Sequence, residues 1–128
     1  HSGEGIPLLF DAGHMAFAGG DVLRVIDNHH RRITHVHVKD VRMDVINKLD
    51  RAKQSFLDAV ALGAFTVRGD GSLDFEAIVK KFAGYGYEGW FVVEAEQDPV
   101  KSPPLKMAQI GHKELMRVMT AAGYSVVA

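Results

Sequence analysis

The chain has 128 residues, of which 47% are apolar and 24% are charged, and its formal net charge is −1. This composition is typical of one folded globular domain, and the near-neutral charge argues against a nucleic-acid binder. No apolar run approaches the roughly 18 residues that a membrane-spanning helix needs. The chain contains no cysteine, which excludes disulfides and thiolate chemistry.

Apolar periodicity divides the chain into short strands and amphipathic helices. The strands are short apolar runs, whereas the helices repeat their apolar residues at helical spacing. We predict strands at residues 6–11, 33–39 and 89–94, helices at 21–28, 44–60, 75–83 and 103–122, and a loop at 65–74. Because strands alternate with helices, the pattern favours an α/β domain built from βαβ units around a parallel sheet.

Ionisable side chains lie near the carboxyl end of each predicted strand. Asp11 and Glu94 end the first and third strands, and His37 and Lys39 share one face of the second. Alternate residues of a strand face opposite sides, so the other face of each strand is apolar and suited to covering helices. Since active sites of parallel α/β proteins lie at strand carboxyl ends, we expect these groups to converge there.

One imidazole and two carboxylates form a plausible ligand set for a divalent ion. Asp11, His37 and Glu94 would suit Mn²⁺, Co²⁺, Mg²⁺ or Zn²⁺. Each residue could instead be a structural polar group whose hydrogen bonds are satisfied within the fold. His14, three residues beyond Asp11, could reach the same site or could be an ordinary loop histidine.

Several longer motifs resemble those of the inosose (2-keto-myo-inositol) dehydratases, a family of the sugar isomerase/epimerase superfamily. The matching segments are LFDAGH at 9–14, FAGGD at 17–21, HVHVKDVR at 35–42, FTVRGDG at 65–71 and GYEGWFVVEAEQDP at 86–99. The first three are shared across the superfamily. The last two, with HKELM at 112–116, are more specific to the dehydratases. The resemblance runs from about residue 6 to residue 124.

The resemblance implies a (β/α)₈ barrel with one divalent metal, Mn²⁺ or Co²⁺ before Mg²⁺ or Zn²⁺, held by two glutamates, an aspartate and a histidine. Asp11 matches the aspartate, His37 the histidine and Glu94 the later glutamate. Glu94 is also a possible general base. His14 matches a histidine that contacts the substrate, and it is a possible acid.

Further positions match where the family places substrate-contacting groups. They are Lys39, Asp40 and Arg42, and we add Glu96, which shares a strand face with Glu94. The implied reaction is the dehydration of 2-keto-myo-inositol in inositol catabolism, a carbon–oxygen lyase reaction. The implied partner is a small polyol or keto-sugar, with neither nucleic acid nor membrane involved, and the implied location is the cytoplasm.

The resemblance covers only the C-terminal portion of such a barrel. We expect residues 1–128 to form one partial barrel domain with about three of the eight strands. The earlier glutamate ligand would belong to a strand before Ile6. Open strand edges would then favour a homo-oligomer or association with another segment.

Three alternative functions stay open at this point. A ketose epimerase or isomerase would share the metal and the enolate chemistry but return the proton to carbon. A metal-dependent nuclease on the same barrel is disfavoured by the net charge of −1. The chain could also be a catalytically incomplete part of a barrel.

Overall fold

The computed structural model of the chain describes residues 5–127, so residues 1–4 and 128 of the predicted domain lie outside it. Strands and helices alternate along most of the chain. In order, the elements are β1 (Leu8–Asp11), α1 (Ala12–Phe17), α2 (Val22–His29), a 3₁₀ turn (His30–Arg32), β2 (Ile33–Val41), α3 (Met43–Ile46), α4 (Phe56–Ala61), β3 (Phe65–Val67), α5 (Phe75–Gly84), β4 (Trp90–Val93) and α6 (Pro104–Ala121).

The central strand of the sheet is β2. It pairs in parallel with β1 along one edge and with β4 along the other. Asp11 lies opposite His37 in the first pairing, and Val92 lies opposite His37 in the second. The three strands therefore run in one direction and end at one edge. This confirms the predicted parallel sheet with flanking helices.

The apolar face of the sheet forms the main core. Val36 and Val38 are 1% and 0% exposed, and they belong to the same buried cluster as Phe10, Val79 and Phe82. The Phe10 and Phe82 rings meet edge to face with centroids 5.3 Å apart. Helices cover this face, so the ionisable groups of the strands are left on the other.

A short fourth strand was not predicted. Residues Phe65–Val67, expected in a loop, form β3 and pair antiparallel with the end of β2, with Val67 opposite Lys39 and Phe65 opposite Val41. All three residues of β3 are buried. The glycines that follow at 69 and 71 suggested a loop, but burial of the apolar triplet favours pairing with β2.

The prediction of a single helix at 44–60 is wrong. This segment contains two short helices, α3 ending at Ile46 and α4 beginning at Phe56. Ser55 starts α4 with a capping box, in which its hydroxyl accepts from the Asp58 N–H while the Asp58 carboxylate accepts from the Ser55 N–H. A cap of this kind satisfies backbone donors that a continuous helix would bond internally, so it begins a new helix.

The helices of the described segment, residues 5–127, include none that is both long and apolar enough to cross a membrane.

Candidate metal centre

The structure brings Asp11, His37 and Glu94 together at the carboxyl edge of the sheet. One donor atom from each lies within 4.8 Å of the other two. His37 Nδ1 is 3.6 Å from Asp11 Oδ2 and 2.6 Å from Glu94 Oε2. The convergence expected from strand parity is therefore present in the geometry, whereas ion binding by these residues stays a prediction.

Asp11 has two roles at the junction of β1 and α1. Its Oδ1 accepts the backbone N–H of His14 at 2.8 Å and so caps α1, a helix that the sequence reasoning did not predict. Its Oδ2 faces the cluster and lies 3.2 Å from Lys39 Nζ. The cap fixes the carboxylate, which leaves one oxygen directed at the site.

Lys39 places a buried positive charge among the carboxylates. Its side chain is 1% exposed, and its Nζ donates to Glu96 Oε1 at 2.8 Å and lies 3.3 Å from Glu94 Oε1. A Cβ at Gly13 would lie 2.6 Å from Lys39 Cγ, so glycine is what allows α1 to approach the lysine stem. Burial of this ammonium is offset by the carboxylates around it.

Lys39 and Glu96 each stabilise the charged form of the other. Burial acts to lower the pKa of Lys39, but the hydrogen bond to Glu96 and the charges of Asp11 and Glu96 raise it above its ordinary value. Burial likewise acts to raise the pKa of Glu96, but the hydrogen bond from Lys39 lowers it below its ordinary value. Both groups are therefore charged at neutral pH.

His14 stands at the open side of the cluster. Its Nε2 lies 3.2 Å from Lys39 Nζ and 3.3 Å from Glu96 Oε1, and its side chain is 46% exposed. His14, Lys39 and Glu96, three of the predicted substrate contacts, thus lie beside the metal-ligand candidates. An exposed imidazole next to a charged pair can both contact a substrate and exchange a proton.

Asp40, predicted to contact substrate, is not brought to the cluster. It is 0% exposed, and its Oδ1 accepts backbone N–H groups of Val41, Ser72 and Leu73 at 2.8, 3.0 and 2.9 Å. Burial raises the pKa of Asp40, although these backbone donors act to lower it. The carboxylate therefore fastens the 69–73 loop to β2, and a substrate contact of Asp40 stays a prediction.

Arg42 is also directed at loops. It donates to the Gly63 carbonyl at 2.7 Å and pairs with the Asp70 carboxylate. Asp70 in turn accepts from the Thr66 hydroxyl at 2.7 Å, and Gln97 donates to that hydroxyl at 3.4 Å. Asp40 and Arg42 therefore hold the segment that follows β3, and their predicted substrate contacts gain no support from these distances.

Two aromatic rings beside His14 were not predicted from the sequence. The His14 ring meets the Phe56 ring at 5.8 Å and the Phe65 ring at 5.4 Å between centroids, both edge to face. Phe56 lies within the helix predicted at 44–60, and no role in the site was predicted for it. Its place beside His14 depends on where α4 begins, for which the capping residues Ser55 and Asp58 were the available signal.

A parallel sheet covered by helices, with ionisable groups gathered at its strand carboxyl ends, defines a part of a (β/α) barrel with its candidate site in the usual place. The model of the xylose isomerase-like TIM barrel family matches residues 3–125, and the chain belongs to this family.

Curated relatives are similar to this chain over most of its length. The rhizopine catabolism protein MocC of Rhizobium meliloti is 51% identical over 123 residues, which are 96% of this chain and 38% of that protein. An inosose dehydratase of Geobacillus thermodenitrificans is 52% identical over 103 residues, 80% of this chain and 35% of the enzyme. That of Salmonella typhimurium is 47% identical over 110 residues, 86% and 36% of the two chains. The resemblance to inosose dehydratases is thereby confirmed, and the chain spans little more than a third of these relatives.

A solved structure supports the fold. A xylose isomerase domain protein from Planctomyces limnophilus superposes with a TM-score of 0.62 over 91% of this chain and 37% of that protein, at 19% identity. At this identity the likeness concerns the fold alone, and it confirms the predicted barrel architecture.

Proposed function

We propose that this chain forms the metal-binding end of an inosose dehydratase, which removes water from 2-keto-myo-inositol in inositol catabolism. The observation that carries the proposal is the convergence of Asp11, His37 and Glu94 in a chain about half identical to inosose dehydratases. A cytoplasmic location and an association between copies of the chain belong to the same proposal.

The residues present fit a divalent cation. The buried Glu94 Oε2 lies 2.6 Å from His37 Nδ1, but the two atoms are not aligned for a hydrogen bond. Asp11 Oδ2 faces the same point, because its partner oxygen is held by the helix cap. One imidazole nitrogen and two carboxylate oxygens suit Mn²⁺ or Co²⁺, with Mg²⁺ and Zn²⁺ as further choices.

The chain's own groups can carry the proton transfers of a dehydration. When bound, the ion would supply Lewis acidity that makes the C–H beside the substrate ketone easier to deprotonate. Glu94 would take that proton, and the electron pair left on carbon would expel the neighbouring hydroxyl. His14 would donate a proton to the departing hydroxide, which leaves as water.

Lys39 and Glu96 would hold the substrate side of this arrangement. Their hydrogen bond of 2.8 Å lets the buried Lys39 fix the partly exposed Glu96 carboxylate beside His14, where Glu96 can receive substrate hydroxyl groups. We assign Asp40 and Arg42 to holding the 69–73 loop instead, because their polar atoms are engaged there.

Product analysis tests the proposal. The purified protein is incubated with Mn²⁺ or Co²⁺ and either 2-keto-myo-inositol or a ketose, and the products are separated by chromatography and examined by mass spectrometry. A dehydratase yields a product lighter by one water. An epimerase or isomerase yields a product of unchanged mass and would replace the proposal. A metal-loaded protein that converts neither inosose nor ketoses would show the chain to be catalytically incomplete.

A further inference from the structure

Three phenylalanines form an aromatic wall next to the candidate centre: Phe17, Phe56 and Phe65. The Phe56 ring lies 5.8 Å from the Phe17 ring and 5.3 Å from the Phe65 ring between centroids. The Phe17 and Phe65 rings are 5.1 Å apart. Each ring therefore supports the other two, which makes the wall a packed unit.

Phe56 is the most exposed member of the wall, and Phe17 is partly buried. Phe56 is 42% exposed, whereas Phe65 is 0% exposed. The exposed part of the Phe56 ring therefore leaves apolar surface next to the polar cluster, where a bound molecule can cover it. The capping box of Ser55 and Asp58 fixes the first turn of α4 and hence the place of this ring.

The aromatic wall continues directly into the polar cluster through His14. The Phe56 and His14 centroids are 5.8 Å apart, and His14 Nε2 is 3.3 Å from Glu96 Oε1. A molecule held by His14 and Glu96 would therefore have an apolar surface beside it. Such a site combines charged groups for hydroxyls with a flat face for carbon.

A six-membered carbocycle whose hydroxyl groups are all equatorial has matching surfaces. Its rim carries the oxygens, and its two faces carry only C–H bonds. An aromatic ring packs well on such a face, whereas an open-chain keto-sugar presents no comparable flat surface.

We infer that Phe56 is a specificity-determining residue, whose exposed ring packs on the C–H face of a cyclic polyol ketone while the polar cluster holds its rim. This inference rests on the proposed function and names what selects a ring over an open chain. Phe56 contributes equally to ground state and transition state, so its loss raises KM and leaves kcat nearly unchanged.

The experiment compares Phe56→Ala and Phe56→Leu with Leu57→Ala, whose side chain in the same helical turn is 73% exposed. Steady-state kinetics with 2-keto-myo-inositol are combined with calorimetric titration of the Mn²⁺-loaded protein with two unreactive probes. The probes are scyllo-inositol, which is cyclic, and sorbitol, which is open-chain. Circular dichroism and Mn²⁺ affinity report whether each variant is folded and loaded.

For Phe56→Ala we expect KM and the scyllo-inositol Kd to rise about tenfold, equal to about 1.4 kcal/mol. Sorbitol binding and Mn²⁺ affinity should stay as in the wild type. Phe56→Leu keeps apolar area and should recover part of the loss, and Leu57→Ala should match the wild type. If Phe56→Ala fails to fold, Phe56→Leu decides by the same cyclic-over-open-chain comparison.

The result separates this inference from the proposed function. A wild type that does not dehydrate inosose but binds scyllo-inositol through Phe56 overturns the function and supports the inference. A wild type that dehydrates inosose while both Phe56 variants keep its KM overturns the inference alone. Equal losses for sorbitol and scyllo-inositol, or a protein that binds neither, also overturn it.

Discussion

Replacing Asp40 by alanine should destabilise the fold through the loop that this residue holds. Two tertiary hydrogen bonds, from the Ser72 and Leu73 N–H groups at 3.0 and 2.9 Å, would be lost with a local one from Val41. Hydrogen bonds to a charged acceptor contribute about 1.5–3 kcal/mol each. The free-energy cost of burying the carboxylate is also removed, which offsets part of the lost hydrogen bonding. We therefore expect a net loss of about 3 kcal/mol in the free energy of unfolding.

Urea unfolding followed by circular dichroism measures this loss. With an m-value of about 2 kcal/mol/M, the midpoint of Asp40→Ala should fall by about 1.5 M. The matched control is Asp40→Asn, which keeps an acceptor oxygen and removes the charge, and it should lose under about 1 kcal/mol. An alanine midpoint equal to that of the wild type, or equal losses in both variants, would show that the Asp40 hydrogen bonds do not stabilise the fold.

The pH dependence of the unfolding free energy, compared between the wild type and Asp40→Asn, provides a second test. Burial raises the pKa of Asp40 above its ordinary 3.8, so the folded state binds this proton more tightly than the unfolded state. The stability that Asp40 contributes is therefore greatest below that ordinary value and falls as the pH rises through the folded-state pKa. Asp40→Asn should lack this component, so its stability relative to the wild type should rise across that window.

Two further predictions concern the centre and a surface contact. His37→Ala should abolish turnover and weaken Mn²⁺ binding at least about tenfold, because a metal ligand is removed. Metal occupancy is measured by elemental analysis after dialysis. An occupancy equal to that of the wild type would exclude His37 as a metal ligand. Asp27 accepts from Lys81 and Tyr85, and these bonds lower its pKa below 3.8. The Tm deficit of Asp27→Asn should thus be full above pH 3.8 and shrink as the pH falls through the folded-state pKa, in thermal scans; a deficit independent of pH would contradict this.

Strand parity was sufficient to predict the convergence of the candidate ligands. In β2, Val36 and Val38 are buried in the core while His37 and Lys39 face the cluster, as alternation requires. Register then brings Asp11 of β1 opposite His37, after a shift in the pairing between Leu8 and Leu9. The alternation follows from local geometry, which is why a single sequence carries it, whereas the register depends on how the two strands pair.

The same parity argues against Asp40 as a substrate contact. Asp40 follows Lys39 and so points to the opposite side of β2, where it meets the 69–73 loop. The substrate contact of Asp40 was predicted from the resemblance of the motif at 35–42, and strand alternation was not applied to it. The capping residues Ser55 and Asp58 indicate where α4 begins, but the contact of Phe56 with His14 depends on the tertiary path between β2 and β3.

The purified 128-residue chain should self-associate through its strand edges. Among residues 5–127, β1 and β4 each pair with β2 alone, so their outer edges offer unpaired backbone groups to another strand. Leu9 and Trp90 on these strands are 50% and 71% exposed, and both would be buried by such pairing. In sedimentation velocity at micromolar concentrations we expect dimers or larger species, and Trp90→Lys should shift them toward monomer because a charge beside the β4 edge resists burial. Val100→Lys, at a position 87% exposed outside the strands, is the matched control and should associate as the wild type does. A wild-type chain that stays monomeric over this range would show that its strand edges do not drive association.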